Sequence, residues 1–329
     1  MAKRLRYRIE STAVATLVWV APRLPRRPLV WLAQVLGSAA SVLDRRGRST
    51  AIANLELALP HLDDRQIRSI VRRSYVNFAR SFLDLFWFRR LNAENYGRWV
   101  DIEGVDPEEN EELRKSGGIH LTPHFGNFEW GGLIRGFEGF RMHVVAQNFK
   151  NPDLTERFSR LREHSGHCII PQRSAMLRLM KVLKRGGHVA LLTDLNVRPG
   201  RSSTVIQCFG LPTCVTRLHV DLAHRCQQRM VTGICEPTDK GRYRVRVLRV
   251  FYPPPPEADA ASLNRLVQEV WDVFEPEIRR RPELWMWMYK HWRYRPDDDP
   301  SGFPAYANRS GAFARLLRAQ QPPAPAGGD

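Results

Sequence analysis

The chain has 329 residues, 43% hydrophobic and 26% charged, ordinary values for a globular protein and enough to bury the core of one large α/β domain or two small ones. Lys and Arg number 51 against 34 Asp and Glu, and the resulting +17 implies an anionic partner: nucleic acid, an acidic protein or an anionic membrane surface. The five cysteines are odd in number and form no C-x2-C pair, which argues against a disulfide framework or a zinc site and for reduced thiols in a cytosol-facing chain.

Residues 1–46 read as a membrane-associated segment. Lys3, Arg4, Arg6 and Arg8 precede an apolar run from Thr12 to Ala21, a Pro- and Arg-rich break comes next at Pro22–Pro28, and a second apolar run covers Leu29–Leu43. Each run falls short of the ~20 residues that a spanning helix needs. An interfacial anchor, with Trp19 and Trp31 at the headgroups, fits best. A single span that tolerates the break, and a pair of ordinary amphipathic core helices, are the alternatives. Residues 47–98 form a helical segment packing on the domain after it. Pro60–Asp64 is a turn, and Ile67, Ile70, Val71, Tyr75, Phe78, Phe82 and Leu85 then recur at steps of three and four.

From residue 99 to 296 short β-like runs alternate with helical ones. The expected strands are Val100–Glu103, Ile119–Thr122, Met142–Ala146, Cys168–Ile170, His188–Thr193, Met230–Cys235 and Tyr243–Val250. The expected helices are Asn127–Gly136, Pro152–His164, Ser174–Arg185, Thr216–Gln227 and Ala261–Arg280. Such alternation argues for a central, mostly parallel sheet flanked by helices, with Tyr243–Val250 half exposed near an edge. Residues 297–329, rich in Gly, Pro, Ala and Gln, read as a disordered tail.

The stretch Gly118–Trp130 carries the chemistry. An apolar run ends at Pro123, His124 comes next, then a small-residue turn, then Glu129 at the start of the next helix. Five residues of helix rotate a side chain by roughly 140°, so His124 and Glu129 meet only if the loop folds back, and Gly126 supplies that freedom. A histidine held by a carboxylate is a general base of fixed tautomer. With no Ser or Cys nucleophile nearby, a substrate hydroxyl would attack directly. The competing reading, an ordinary histidine beside a turn, is answered by the flanking sequence.

Those flanks resemble one family. They are Asn54-Leu55-Glu56-Leu57-Ala58-Leu59-Pro60; the block from His124 to Glu129; Leu192-Thr193-Asp194-Leu195-Asn196 with Arg201-Ser202-Ser203 and Cys208-Phe209-Gly210; and Arg281-Pro282-Glu283-Leu284-Trp285-Met286-Trp287-Met288. In this order, over most of residues 15–296, they resemble the late acyltransferases of bacterial lipid A biosynthesis, H-x4-E members of the wider glycerolipid acyltransferase group. The resemblance implies a glycerolipid-acyltransferase-like α/β fold with an N-terminal hydrophobic helical membrane anchor. It implies a monotopic or single-span enzyme on the cytoplasmic face of the bacterial inner membrane. The activity implied is transfer of a fatty acyl chain from acyl carrier protein, or from acyl-CoA, to a hydroxyl of an anionic glycolipid, without metal, cofactor or nucleic acid. His124 and Glu129 would be the catalytic pair, with backbone N–H groups of Phe125–Asn127 or an arginine for the oxyanion. Arg173, Asp194, Arg201 and Asn127 would bind substrate, Asp194 pairing with an arginine such as Arg201 and Asn127 also steadying the turn. Trp285, Trp287 and Met288 would be core or line an acyl tunnel. The sequence departs from the family at Asp194-x-Asn196, where Asp-x-Asp is usual, and at Tyr289-Lys290-His291, where His-Arg-Arg is usual. These departures leave room for another acceptor: a lysophospholipid, a phosphatidylinositol mannoside or an amino-acid lipid. A non-catalytic basic protein that binds membrane or nucleic acid would explain the charge but not the His124 block.

Overall fold

Four helices come first: α1 (Ala2–Val20), α2 (Arg26–Leu43), α3 (Arg45–Ala58) and α4 (Asp64–Trp87). The structure is a computed structural model that describes residues 2–172, 174–297 and 302–320. A capping box opens α4: the Asp63 carboxylate accepts from the Gln66 N–H (2.8 Å) and the Gln66 side chain accepts from the Asp63 N–H (2.9 Å), satisfying two otherwise orphaned donors. The apolar stripe of α4 then packs inward. Helix α2 lies so close to α4 that a Cβ on Gly37 would sit 2.4 Å from the Val76 Cα.

The expected hydrophobic membrane anchor is corrected here. Among the described residues no helix is long and apolar enough to cross a membrane. Basic residues occupy the first turns of α1, Pro22 and Pro25 separate it from α2, and α2 buries Leu29, Ala33 and Gly37 in the protein interior. Arg26, the first residue of α2, is itself buried on Asp84 of α4 (2.8 Å). These helices are therefore built into the body of the protein, and the single-span reading goes with the anchor.

The α/β part comprises β1 (Val100–Glu103), α5 (Pro107–Ser116), β2 (Gly118–Thr122), α6 (Phe128–Phe137), β3 (Met142–Ala146), α7 (Pro152–Glu163), β4 (Cys168–Pro171), α8 (Ala175–Leu183) and β5 (His188–Leu192). A hairpin, β6 (Ser203–Cys208) and β7 (Leu211–Thr216), then precedes α9 (Leu218–Cys226), β8 (Met230–Pro237), β9 (Tyr243–Phe251) and α10 (Ala260–Arg280). The seven-stranded sheet has the order β1-β9-β8-β2-β5-β3-β4. All its pairings are parallel except β8 with β9. The C-terminal ends of β2, β3, β4, β5 and β8 consequently share one edge, where open α/β sheets present their ligand sites.

The last described elements are β10 (Tyr294–Arg295), paired parallel to β11 (Asn308–Arg309), and α11 (Gly311–Gln320). Part of the expected disordered tail is thus folded. Phe313 is fully buried, and the Gln320 side chain accepts from the Val205 N–H of β6 (2.9 Å). Residues 298–301 and 321–329 lie outside the described residues.

Candidate active site

Between β2 and α6 the chain makes a tight loop, and its geometry is forced at Gly126. The residue has φ +57°, and a Cβ there would lie 1.9 Å from the Cys235 carbonyl oxygen. Only glycine allows this approach. The loop is fastened on every side. Gly126 N–H donates to the Leu284 carbonyl (2.8 Å), Asn127 N–H to Cys235 (2.8 Å) and Phe125 N–H to Pro123 (2.7 Å). From α4, Asn77 and Ser81 donate to the Gly126 carbonyl (3.1 and 3.0 Å). All three backbone donors expected to serve the oxyanion are therefore already in use.

Asn127 caps α6 by accepting from the Trp130 N–H (3.1 Å) and donates to Asp84 (3.1 Å), fully buried. It steadies the turn and presents nothing to a substrate. Asp84 also accepts from Arg26 and the Tyr243 hydroxyl, so one buried carboxylate joins α2, α4, β9 and the loop.

His124 meets Asp194, not Glu129. Asp194 lies just after β5, the strand beside β2, and its carboxylate accepts from the His124 ring Nδ1 (2.8 Å) and the His124 backbone N–H (2.9 Å). The indole of Trp285 donates a third hydrogen bond to it (2.8 Å). With Nδ1–H committed to the carboxylate, the lone pair lies on Nε2, assigned here from the hydrogen bonds. The His124 side chain is 12% exposed and that of Asp194 is 1% exposed, so a proton acceptor reaches a nearly dry surface. Burial opposes the imidazolium, but the charge and hydrogen bond of Asp194, with a further contribution from the Glu129 charge, outweigh it and hold the His124 pKa above its usual value. Burial likewise opposes the Asp194 carboxylate, and the charge and hydrogen bond of His124 overcome it, bringing Asp194 down to about 2.

Glu129 is gripped by Arg162 of α7, whose Nε and Nη2 donate at 3.0 and 2.5 Å. No hydrogen bond joins it to His124 among the described residues, and it acts on the ring by charge. Arg162 was not anticipated; its only sequence signal is a place among Arg157 and Arg160 on α7. Arg201 is exposed in the turn before β6, and Asp194 has spent its oxygens on His124 and Trp285. Arg173 lies outside the described residues. Asn196 is buried and donates to the His291 carbonyl (2.9 Å), while the His291 ring stacks on Trp285 with centroids 3.8 Å apart. The two departures from the family pattern thus face each other behind Asp194. Trp287 is fully buried and donates to the Pro282 carbonyl (2.6 Å). Burial pushes the Cys208 and Cys235 thiols up, which disqualifies them as nucleophiles.

A histidine, an orienting carboxylate and an unused Nε2 at the ligand edge of a parallel sheet are the parts of a hydroxyl-activating site. The family model described as bacterial lipid A biosynthesis acyltransferase matches residues 2–294. The chain belongs to this family. It is an acyltransferase, similar to the lipid A biosynthesis lauroyltransferase of Escherichia coli K12 (24% identical, covering 87% of this chain and 92% of the relative). The lipid A biosynthesis palmitoleoyltransferase of the same organism is 23% identical, covering 87% and 91%. A phosphatidylinositol mannoside acyltransferase of Mycolicibacterium smegmatis is 22% identical over 68% of this chain and 72% of the relative. In this acyltransferase the two blocks of the family resemblance, around His124 and around Asp194, become one site because β2 and β5 are neighbours.

Proposed function

We propose that the protein transfers a fatty acyl chain from an acyl-carrier-protein thioester to a hydroxyl of a lipid A precursor, by direct attack with His124 as general base. The acceptor oxygen attacks the thioester carbonyl carbon while Nε2 takes its proton. The tetrahedral intermediate then collapses, the carbon–sulfur bond breaks, and the imidazolium returns the proton to the departing thiolate. An ester and a free carrier thiol result. Asp194 keeps the ring oriented and stabilises the imidazolium. With the loop N–H groups engaged elsewhere, we assign the oxyanion to Arg162, which Glu129 holds within the electrostatic reach of His124. The acceptor is an amphiphile, so the reaction takes place at a membrane surface, with the protein associated peripherally.

The observation that carries this reading is the 2.8 Å contact between His124 Nδ1 and Asp194. The test is acyl transfer from a panel of acyl-carrier-protein thioesters to tetraacylated lipid A precursor, with lysophospholipid and phosphatidylinositol mannoside in parallel. Transfer to the lipid A precursor that His124→Ala abolishes supports it. Transfer only to another lipid keeps the mechanism and changes the acceptor. Undiminished transfer in His124→Ala removes the base.

A further inference from the structure

A cavity of about 610 Å3 opens between the start of α1 and the loop after β3, lined by Lys3, Arg6, Tyr7 and Lys150. Its size falls in the ~300–1,000 Å3 range of small-molecule sites. Its walls are fixed: Asn151, which caps α7, donates to the Tyr7 carbonyl (3.1 Å) and the Ser11 hydroxyl (3.2 Å). Arg6 is answered by Glu10 (2.7 Å). Lys3 lies over the Tyr7 ring at 5.6 Å, and among the described residues neither Lys3 nor Lys150 pairs with a carboxylate. Two unanswered ammonium groups, beside the positive end of a 19-residue helix, match a doubly charged anion.

Two further observations say what bears that anion. Lys150 lies beyond the end of β3, which runs parallel to β5, itself parallel to β2, so the cavity opens at the sheet edge that carries His124 and Asp194. The same seam also continues away from the cations. A second cavity of about 410 Å3 is lined by Ser11, Thr12, Ala15, Thr16 and Trp19 of α1 and by Arg157 of α7. Helix α7 ends near Arg162, the residue that grips Glu129. A charged end and a less polar continuation suit an amphiphile. A carrier protein would need ~800 Å2 of its own surface in contact, which a recess between one helix and one loop does not offer.

We infer that the Lys3–Lys150 cavity holds a phosphomonoester on the lipid acceptor, setting acceptor specificity from the side of the active site. This rests on the acyl-transfer reading for its role, but its binding test does not. The full-length protein is sedimented with phosphatidylcholine vesicles containing phosphatidic acid or phosphatidylglycerol, as wild type, as Lys3→Ala/Lys150→Ala, and as an Arg65→Ala/Arg73→Ala control with the same charge change on the exposed face of α4. The expected result is preference of the wild type for phosphatidic acid, weakened about tenfold in the lysine variant and little in the control. In the transfer assay the lysine variant should raise the KM for a phosphorylated acceptor about tenfold while keeping kcat. Equal binding by wild type and lysine variant overturns the inference, as does equal weakening in the arginine control. So does inorganic phosphate binding as tightly as the lipid, which would make this a free-anion site. A rise in KM for the carrier-protein donor alone assigns the cavity to the carrier and also overturns it. Loss of transfer in every form, with lipid preference intact, removes the acyl-transfer reading and leaves the site.

Discussion

Trp285 donates its indole N–H to the Asp194 oxygen that also receives the His124 backbone N–H, at 2.8 and 2.9 Å. The tryptophan comes from the far end of the chain, yet it fixes the carboxylate that orients the base. Trp285→Phe keeps the ring and removes the donor. Asp194 then loses stabilisation as an anion and holds the imidazolium more tightly, so the acid limb of kcat/KM should move to higher pH. The rate should fall about tenfold, the value of one hydrogen bond to a charged group. A pH–rate profile of the variant checks both, and an unshifted limb would make Trp285 a packing residue only.

Glu129 and Arg162 make a second, separable prediction. Because the glutamate acts on His124 by charge and not by a hydrogen bond, Glu129→Gln should cost about tenfold and move the acid limb to lower pH. Glu129→Ala should cost more, since it leaves the largely buried Arg162 unpaired. Steady-state kinetics on both variants, with circular dichroism to confirm folding, decide this.

Gly126→Ala tests the loop itself. The added Cβ meets a backbone carbonyl at 1.9 Å in a left-handed conformation that costs an L-residue roughly 1–2 kcal/mol on its own. A loss of more than about 2 kcal/mol in denaturant unfolding is expected, with activity abolished.

Much of this arrangement was legible in the sequence, and the parts that were not have a common cause. The strands Val100–Glu103 and Met142–Ala146 begin and end where their apolar alternation does, because a strand is a local pattern. The base, the glycine and the turn-steadying Asn127 are all local to one loop. The partner of His124 is not. Spacing pointed to Glu129, five residues on; the sheet order placed Asp194, seventy residues on, against the ring, since β5 and not β3 lies beside β2. The N-terminal runs misled for a similar reason. Their apolar residues looked like a lipid-facing surface, but α2 buries Leu29, Ala33 and Gly37 inside the protein, a choice that depends on α4. The β6–β7 hairpin was visible only as the blocks Arg201–Ser203 and Cys208–Gly210, not as two strands.

Buried histidines give the protein an acid-sensitive core. Burial holds His120, His167 and His188 below the usual histidine range, and brings His219 and His291 to about 4. Below pH ~6.5 the unfolded chain binds protons that the folded one refuses, so these groups remove stability as pH falls. His124, with its raised value, runs the other way: its contribution is full below ~6.5 and fades as pH rises through its folded value. The histidines held down outnumber it, so Tm should drop between pH ~7 and ~5. His219 is the simplest probe, because its Nε2 is buried without a hydrogen bond. His219→Leu should raise Tm and flatten part of the acid dependence in a thermal melt.

The most direct measurement is kcat for Asp194→Asn and Glu129→Gln, side by side with wild type, in transfer to the lipid A precursor. If Asp194 orients the base, its amide variant should fall by about 10³–10⁴, with the acid limb displaced to lower pH, while Glu129→Gln stays within about tenfold of wild type. The reverse order, with Asp194→Asn near wild type and Glu129→Gln inactive, would contradict the His124–Asp194 pair and return the role to Glu129.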